Sequence, residues 1–593
     1  MIRWERQGVR AQGVQARTAG LFFLVLLPFA RAGQNPATSQ LPPPASVVAS
    51  GNGYVGNEAC ARCHAAIYES YRRTAMAHAS GPALDSFVPA DFTHKESGVH
   101  YRIYSEGRRV WLSFDRPGDP EAQGRRELLY FIGSGRRGRT YLFKTNGFLF
   151  ESPVNWYANK QMWDTAPAYQ SDREIPLNLP AYTSCLHCHV SGMQPPMKGT
   201  ENRYPDPPFT QNGVSCERCH GPGAAHAGAT GANAAVANAT VVSSIIASST
   251  IVNPAKLEPA RRDEICMQCH LEGKVAIERA GHHLYEYQAG ENLSDYIRYF
   301  VLKGSQGSSS IGAVSQVEAL DQSQCKKKSG DAMSCTSCHD PHRSPSAEER
   351  VAYYRGKCVA CHGASFADKH HADHPDCVSC HMPASPSADV AHTQVTDHRI
   401  PRRPQVSPQL LQDASQQSPA LQLVPFHSVD KSDADGRDAA LAWASLAEGG
   451  MKEVEPEARD RLSKAIKESR NDPALLSSLG YIEQKHGATE HARQLYQNAL
   501  SLDPGLIDAE TNLGVIEAQD GQVDDALKLW RSAFQNAPDR SSIGLNIARA
   551  YCAEGKLFEA RNYILRVLEF NPDLTAAKQM LKGFNHVPPS CSP

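Results

Sequence analysis

The chain lacks any long hydrophobic run. Its most apolar stretch is LFFLVLLPFA, Leu21–Ala30. About ten residues at 1.5 Å each cannot cross roughly 30 Å of hydrocarbon, and no later segment is apolar enough to span a bilayer. An excess of one charge is missing too. Against 61 Lys plus Arg stand 63 Asp plus Glu in 593 residues, a formal net charge of −2. Without a basic block or an acidic tail, nothing points to a nucleic-acid partner or an anionic membrane surface.

What the N-terminus does have is a pattern. Arg3, Arg6, Arg10 and Arg17 precede the apolar run, and Ala30-Arg31-Ala32 follows as a small-x-small site. This is the grammar of a secretory signal peptide over residues 1–32, and predicts an exported (periplasmic) bacterial protein cleaved near Ala32. The next cysteine is Cys60, so no lipid anchor is expected at the cleavage site. The length allows two to four domains. Pro/Ser/Ala-rich residues 33–50 read as a flexible lead-in, and 401–430 as an interdomain linker. Ala/Ser/Thr/Asn-rich residues 224–250 read as a surface excursion.

Fourteen of the seventeen cysteines fall in seven C-x-x-C-H motifs. In order these are Cys60/Cys63/His64, Cys185/Cys188/His189, Cys216/Cys219/His220 and Cys266/Cys269/His270. Cys335/Cys338/His339, Cys358/Cys361/His362 and Cys377/Cys380/His381 complete the series. The last two, taken as cysteine pairs with fifteen residues between Cys361 and Cys377, also fit a zinc spacing. Zinc ligation, however, does not require a histidine directly after each pair. With 24 histidines in the chain, seven such coincidences have odds on the order of 10⁻¹⁰. Disulfides, natural in an exported protein, leave the histidines equally unexplained. Covalent haem explains both residue types. Two thiols three positions apart each take one haem vinyl group, and the next imidazole ligates the iron. The expectation is seven covalently attached c-type haems, which would supply much of the core that this cysteine-rich region lacks.

Each iron needs a second axial partner. Of the 24 histidines, seven are in the motifs and three in the C-terminal region (His486, His491, His586), leaving fourteen. That supply permits histidine on both faces of every haem. His226 and His342 are favoured distal candidates because a proline-constrained turn throws each away from its own motif. His78, His392 and His398 come next, then His370, His371 and His374. Met76 and Met382 are weaker alternatives. His94 and His100 fall on expected strands and read as ordinary structural histidines. His187, inside the second motif, could disturb ligation there.

VHYRIY (Val99–Tyr104), RVWLSF (Arg109–Phe114), ELLYFI (Glu127–Ile132) and TYLFK (Thr140–Lys144) have strand character, and Asn146-Gly147 suits a type I′ hairpin. They predict a small antiparallel insertion at about 95–152. Further on, Leu479-Gly480, Leu513-Gly514 and Ile547-Ala548 are spaced by 34, as are Gly487, Gly521 and Gly555. Ala492, Ala526 and Ala560 repeat in the same register, and so do Pro504, Pro538 and Pro572. Ala458, Leu462 and Ala465 mark a degenerate earlier copy. This period resembles the tetratricopeptide repeat, and predicts an α-solenoid over 431–585. Cys552 is expected as a small buried residue of a repeat helix, with Cys325 and Cys591 unpaired. The fold class is therefore mostly α: an irregular multihaem domain over 51–400 with a small β insertion, followed by the solenoid.

YVGNEACARCHAAIYESY, SCERCHGPGAAH, CTSCHDPH, CVACH, CVSCHMP and HTQVTDHRIPRR together make Tyr54–Arg399 resemble the multihaem cytochromes of the cytochrome c-554 type. These are similar in turn to pentahaem nitrite reductases and octahaem hydroxylamine oxidoreductases. The resemblance implies an electron carrier with mostly bis-histidine haems stacked in pairs, and a redox partner protein docked by the repeats. The alternative it implies is an oxidoreductase acting on a small nitrogen or sulfur oxyanion at one five-coordinate haem. The C-x-x-C-K motif often found at the catalytic haem of those reductases is absent from this sequence.

Overall fold

The computed structural model describes residues 53–169, 174–233, 251–303, 312–370, 373–387, 389–390, 392–402, 421–427, 436–586 and 589–591. The expected signal peptide and lead-in lie outside these residues. So do His371, most of the 224–250 excursion and most of the 401–430 stretch.

The aromatic and β-branched runs form the strands His100–Glu106, Arg109–Arg116, Asp119–Ile132, Gly138–Thr145 and Phe148–Glu151, paired antiparallel in order. Alternation puts Tyr101, Ile103, Val110, Leu112 and Phe114 on one buried face. Asn146 and Gly147 have φ of 52° and 84°, as a type I′ turn requires. The expected small insertion is, however, a nine-stranded sheet reaching from Ser80–Pro82 to Met162–Thr165. The additional strands SGP, ADFT, VNWY and MWDT have three or four residues each, too few for a period of two to be read. In the long strand Asp119–Ile132 the pattern is masked by Gly124, which lies under Phe114. A Cβ there would stand 2.7 Å from the Phe114 ring.

Short helices carry the motifs: Thr183–His189, Glu217–His220, Pro259–His270, Cys335–Cys338, Arg350–His362 and Cys377–His381. Between 312 and 381, Ala319 and Val378 are the buried hydrophobic residues among those described. Side chains alone leave this region with little core. Within the expected linker, Gln422–Pro425 is a strand that pairs with Ile297–Lys303, itself paired with Val275–Glu278.

The 34-residue period produces helix pairs: Pro473–Lys485 with Thr489–Leu502, Ile507–Gln519 with Val523–Asn536, and Ser541–Ala553 with Leu557–Phe570. Arg437–Glu448 and Glu455–Glu468 form the degenerate pair, and Thr575–Phe584 ends the stack. The repeated small residues allow close approach. A Cβ on Gly480 would lie 2.8 Å from Tyr496, and one on Gly514 2.5 Å from Trp530.

The solenoid leans on its own chain. Phe570 enters the sheet's hydrophobic core, edge-on to Phe150 at 5.7 Å. Arg116 pairs with Asp573 at 2.5 Å, Lys578 with Asp119 at 2.8 Å, and Arg540 with Glu201 at 2.9 Å. At its other end Arg279 pairs with Asp438 at 2.6 Å. One cysteine expectation is corrected: Cys591 is not unpaired but forms a disulfide with Cys552, 39 residues away. The C-terminal tail folds back over the last repeat, which no local pattern announces. Cys325 is a free thiol.

Candidate functional site

A cavity of about 2790 Å³ opens between the sheet's edge and the motif helices, far above the roughly 300–1,000 Å³ of a small-ligand pocket. Its walls carry cysteines of the first five motifs and His64, His189, His220, His270 and His339. His226, His342 and His398 line it as well. The last two motifs lie outside it, on the half-exposed segment that holds Arg350–His362 and Cys377–His381.

Two motif cysteines of that segment face solvent. Cys361 and Cys380 are exposed free thiols, and neither lines the cavity. For Cys380 the reason is helical geometry. Val378, the buried residue of Cys377–His381, lies two positions earlier, so the Cys380 side chain projects from the opposite face of the turn. Its described polar neighbour is the Ser379 hydroxyl, which donates to Sγ at 3.9 Å.

Four motif histidines face a histidine from outside the motifs. Ring centroids are 6.4 Å apart for His64 and His226, and 5.9 Å for His220 and His342. They are 6.2 Å apart for His339 and His398, and 6.2 Å for His370 and His381. Two imidazoles on opposite sides of one metal, with metal–nitrogen bonds of about 2.0–2.1 Å, put their centroids roughly 6 Å apart. Several of these rings are oriented by the chain. The Nδ1–H of His220 donates to the Val252 carbonyl at 2.8 Å, that of His381 to Pro401 at 2.9 Å, and that of His398 to Thr396 at 2.9 Å. A hydrogen bond at Nδ1 leaves Nε2 bare for a metal. Burial holds His220, His339 and His398 below the ordinary imidazole pKa, and so in the neutral, ligating form.

The cavity also holds polar groups with nothing to bind. Nε of Arg218 and of Arg262 is buried without an acceptor among the described residues, although both residues line the space. Haem brings two carboxylates, so thiol pairs, imidazole pairs and the unpartnered Nε–H groups of these two arginines together fit it. A closed zinc site instead needs four donors converging on one point. Among the described residues no three His, Cys, Asp or Glu side chains converge in that way. The fourteen motif cysteines are free thiols, and those of different motifs meet, in two cases out of chain order. Cys60 meets Cys216, Cys188 meets Cys269, Cys335 meets Cys266, and Cys358 lies beside Cys377.

Other candidates are placed elsewhere. His78 is exposed and off the cavity wall. His392 gives its Nε2 proton to Asp164 at 2.7 Å and packs edge-on to Tyr157. His374 is exposed, and Met382 does not line the cavity, whereas Met76 does. His94 is buried against Ser97, and His100 bonds Asp91 at 2.8 Å from its strand. His187 is buried under Arg218.

Sequence reasoning missed two contributors. His427 lines the cavity and bonds Asp321 at 2.9 Å. The apolar LQLVPF before it (421–426) was the available sign that this stretch is a strand and not a linker. Glu217, inside the third motif, accepts from the amides of Val55, Gly56 and Gly223 at 2.8–2.9 Å. A carboxylate between two motif cysteines was its sign.

Comparison with known proteins bears on both halves of the chain. The family described as "Cytochrome c554 and c-prime" matches residues 155–221, spanning the second and third motifs. The tetratricopeptide repeat family matches residues 517–583. No curated protein matches. Solved structures similar to the chain include the MamA protein at 21% identity, with 22% of this chain and 72% of that one covered and a TM-score of 0.20. PilF of Pseudomonas aeruginosa is similar at 20% identity, 24% and 67% coverage and a TM-score of 0.23. YrrB, described as a repeat protein with an unusual peptide-binding site, has 23% identity, 24% and 75% coverage and a TM-score of 0.22. The chain thus carries a cytochrome c554-like domain, with the covalent c-type haem that family implies, and a tetratricopeptide repeat region.

Proposed function

We propose that this protein is an exported seven-haem c-type cytochrome that passes electrons along closely spaced covalent haems, with the repeat domain docking a redox partner. The observation that carries this reading is the set of four histidine pairs. Each joins the last residue of a C-x-x-C-H motif to a histidine outside the motifs, at 5.9–6.4 Å. Bound haem would supply a reversible one-electron couple. The chain supplies the thiols that fix each haem, the imidazoles that clamp the iron and, for the first five motifs, the walls of the cavity. The Cys552–Cys591 disulfide supports export, since such bonds persist in oxidising compartments.

A pyridine haemochrome assay should return seven haems per chain, and a clearly lower count would sink the number. His226→Ala, His342→Ala and His398→Ala should each convert one low-spin signal in the electron paramagnetic resonance spectrum to high spin. An unchanged spectrum would remove that histidine from its proposed role. A second reading has one observation in its favour. Among the described residues, no second histidine ring comes as close to His189, His270 or His362. One of these motifs could then present an open iron to a small nitrogen or sulfur oxyanion. A high-spin signal in the unmutated protein that shifts on adding nitrite or hydroxylamine would favour it, and a wholly low-spin spectrum would end it.

A further inference from the structure

In the second, third and fourth motifs, the second residue between the cysteines is large and polar: His187, Arg218 and Gln268. All three meet at one point. Nη2 of Arg218 reaches the ring nitrogens of His187 at 2.5 and 2.7 Å and donates to its carbonyl at 3.1 Å. The Gln268 side chain lies beside the same ring, with its amide donating to the Ile265 carbonyl at 2.9 Å and its Oε1 left without a partner among the described residues. His187 and Gln268 are each 2% exposed, and Nε of Arg218 is buried with no acceptor among the described residues. The neighbouring Glu217 is turned the other way, into the amides of Val55, Gly56 and Gly223. The third motif therefore faces the first through Glu217, and the second and fourth through Arg218.

We infer that Arg218 is a positioning residue that locks three haem-attachment motifs together, and that its permanent charge raises the reduction potential of the haems around it. This rests on the haem reading above. The physical reason is electrostatic. A guanidinium keeps its proton at any working pH, and a half-buried cation disfavours the more positive, oxidised iron more than the same charge in water would. All three contacts come from the one nitrogen Nη2, so lysine would retain the charge but not the rigid plane that holds that nitrogen in place.

The test is a redox titration of the full-length holoprotein, followed by absorbance and paired with a haem count. Arg218→Gln should keep seven haems and lower the potential of at least one by on the order of tenfold in the reduced-to-oxidised ratio, about 59 mV for a one-electron couple. Arg218→Lys should restore most of that shift. Gln268→Glu places a carboxylate against the same cluster at nearly constant volume and should lower the same potential, while Gln268→Leu should not. These two variants serve if Arg218→Gln fails to mature. Unchanged potentials in Arg218→Gln, or in Gln268→Glu where Arg218→Gln cannot be measured, overturn the assignment. Too few haems in the unmutated protein would strike the haem reading itself, not this residue.

Discussion

A methyl group on Gly514 would meet the Trp530 indole at 2.5 Å, and Trp530 is fully buried, with its Nε1 donating to the Thr511 carbonyl at 3.0 Å. Gly514→Ala should therefore destabilise the solenoid by roughly 1–3 kcal/mol through overpacking, read as a fall in denaturant midpoint at constant slope. At Gly521, where no atom lies within 4 Å but φ is +83°, alanine should cost about 1 kcal/mol through backbone strain alone. Glu510 is a different kind of residue-scale liability. Burial pushes its carboxyl up to about 7, and its Oε2 has no partner among the described residues. A carboxyl whose folded pKa exceeds its unfolded value costs stability as pH rises between the two, here from about 4.5 to about 7. Glu510→Gln should accordingly stabilise the solenoid at pH 8 by at most roughly 3 kcal/mol, read as a higher melting temperature, and leave it nearly unchanged at pH 4. Equal effects at both values would contradict this.

Among the elements, the Cys552–Cys591 disulfide ties the tail to helix Ser541–Ala553 across the final helix. Cys552→Ser should cost about 2–4 kcal/mol, measurable as a lower thermal midpoint that reductant no longer shifts. The docking loops give a second element-scale outcome. Asp573 is 5% exposed and accepts from Arg116 at 3.0 and 2.5 Å and from Lys578 at 3.2 Å. Asp573→Ala removes one of the two carboxylates that Arg116 and Lys578 share, leaving them Asp119 at 3.4 and 2.8 Å, and should cost about 1–3 kcal/mol. In calorimetry the solenoid and the sheet should then unfold in separate steps. The repeat elements were legible because Leu-Gly, Ala and Pro recur at one spacing, and small residues at fixed positions are what helix packing demands. The edge strands of the sheet were not legible, because three or four residues held by neighbours far along the chain carry no period of their own.

For the molecule as a whole, the large space between sheet and motif helices should dominate behaviour. A chain prepared without haem should expose 312–402 to protease while the sheet and 436–586 stay protected, since the sheet and the solenoid have their own apolar clusters and 312–381 has few buried hydrophobic residues. Protection of 312–402 in the haem-free chain would argue against haem as core.

The sequence by itself determined the seven C-x-x-C-H spacings and the repeat architecture. Both rest on residue type at short, fixed spacing, which local bonding and helix geometry read directly. Only the tertiary structure decided which motifs are neighbours, which of them line the cavity and which, like Cys377/Cys380, stand outside it. It alone decided which histidine faces which motif, and that the solenoid leans on its own sheet. His64 and His226 are separated by 162 positions, and Arg116 and Asp573 by 457. Such pairings follow from burial and charge satisfied across the whole fold, and no local pattern encodes them.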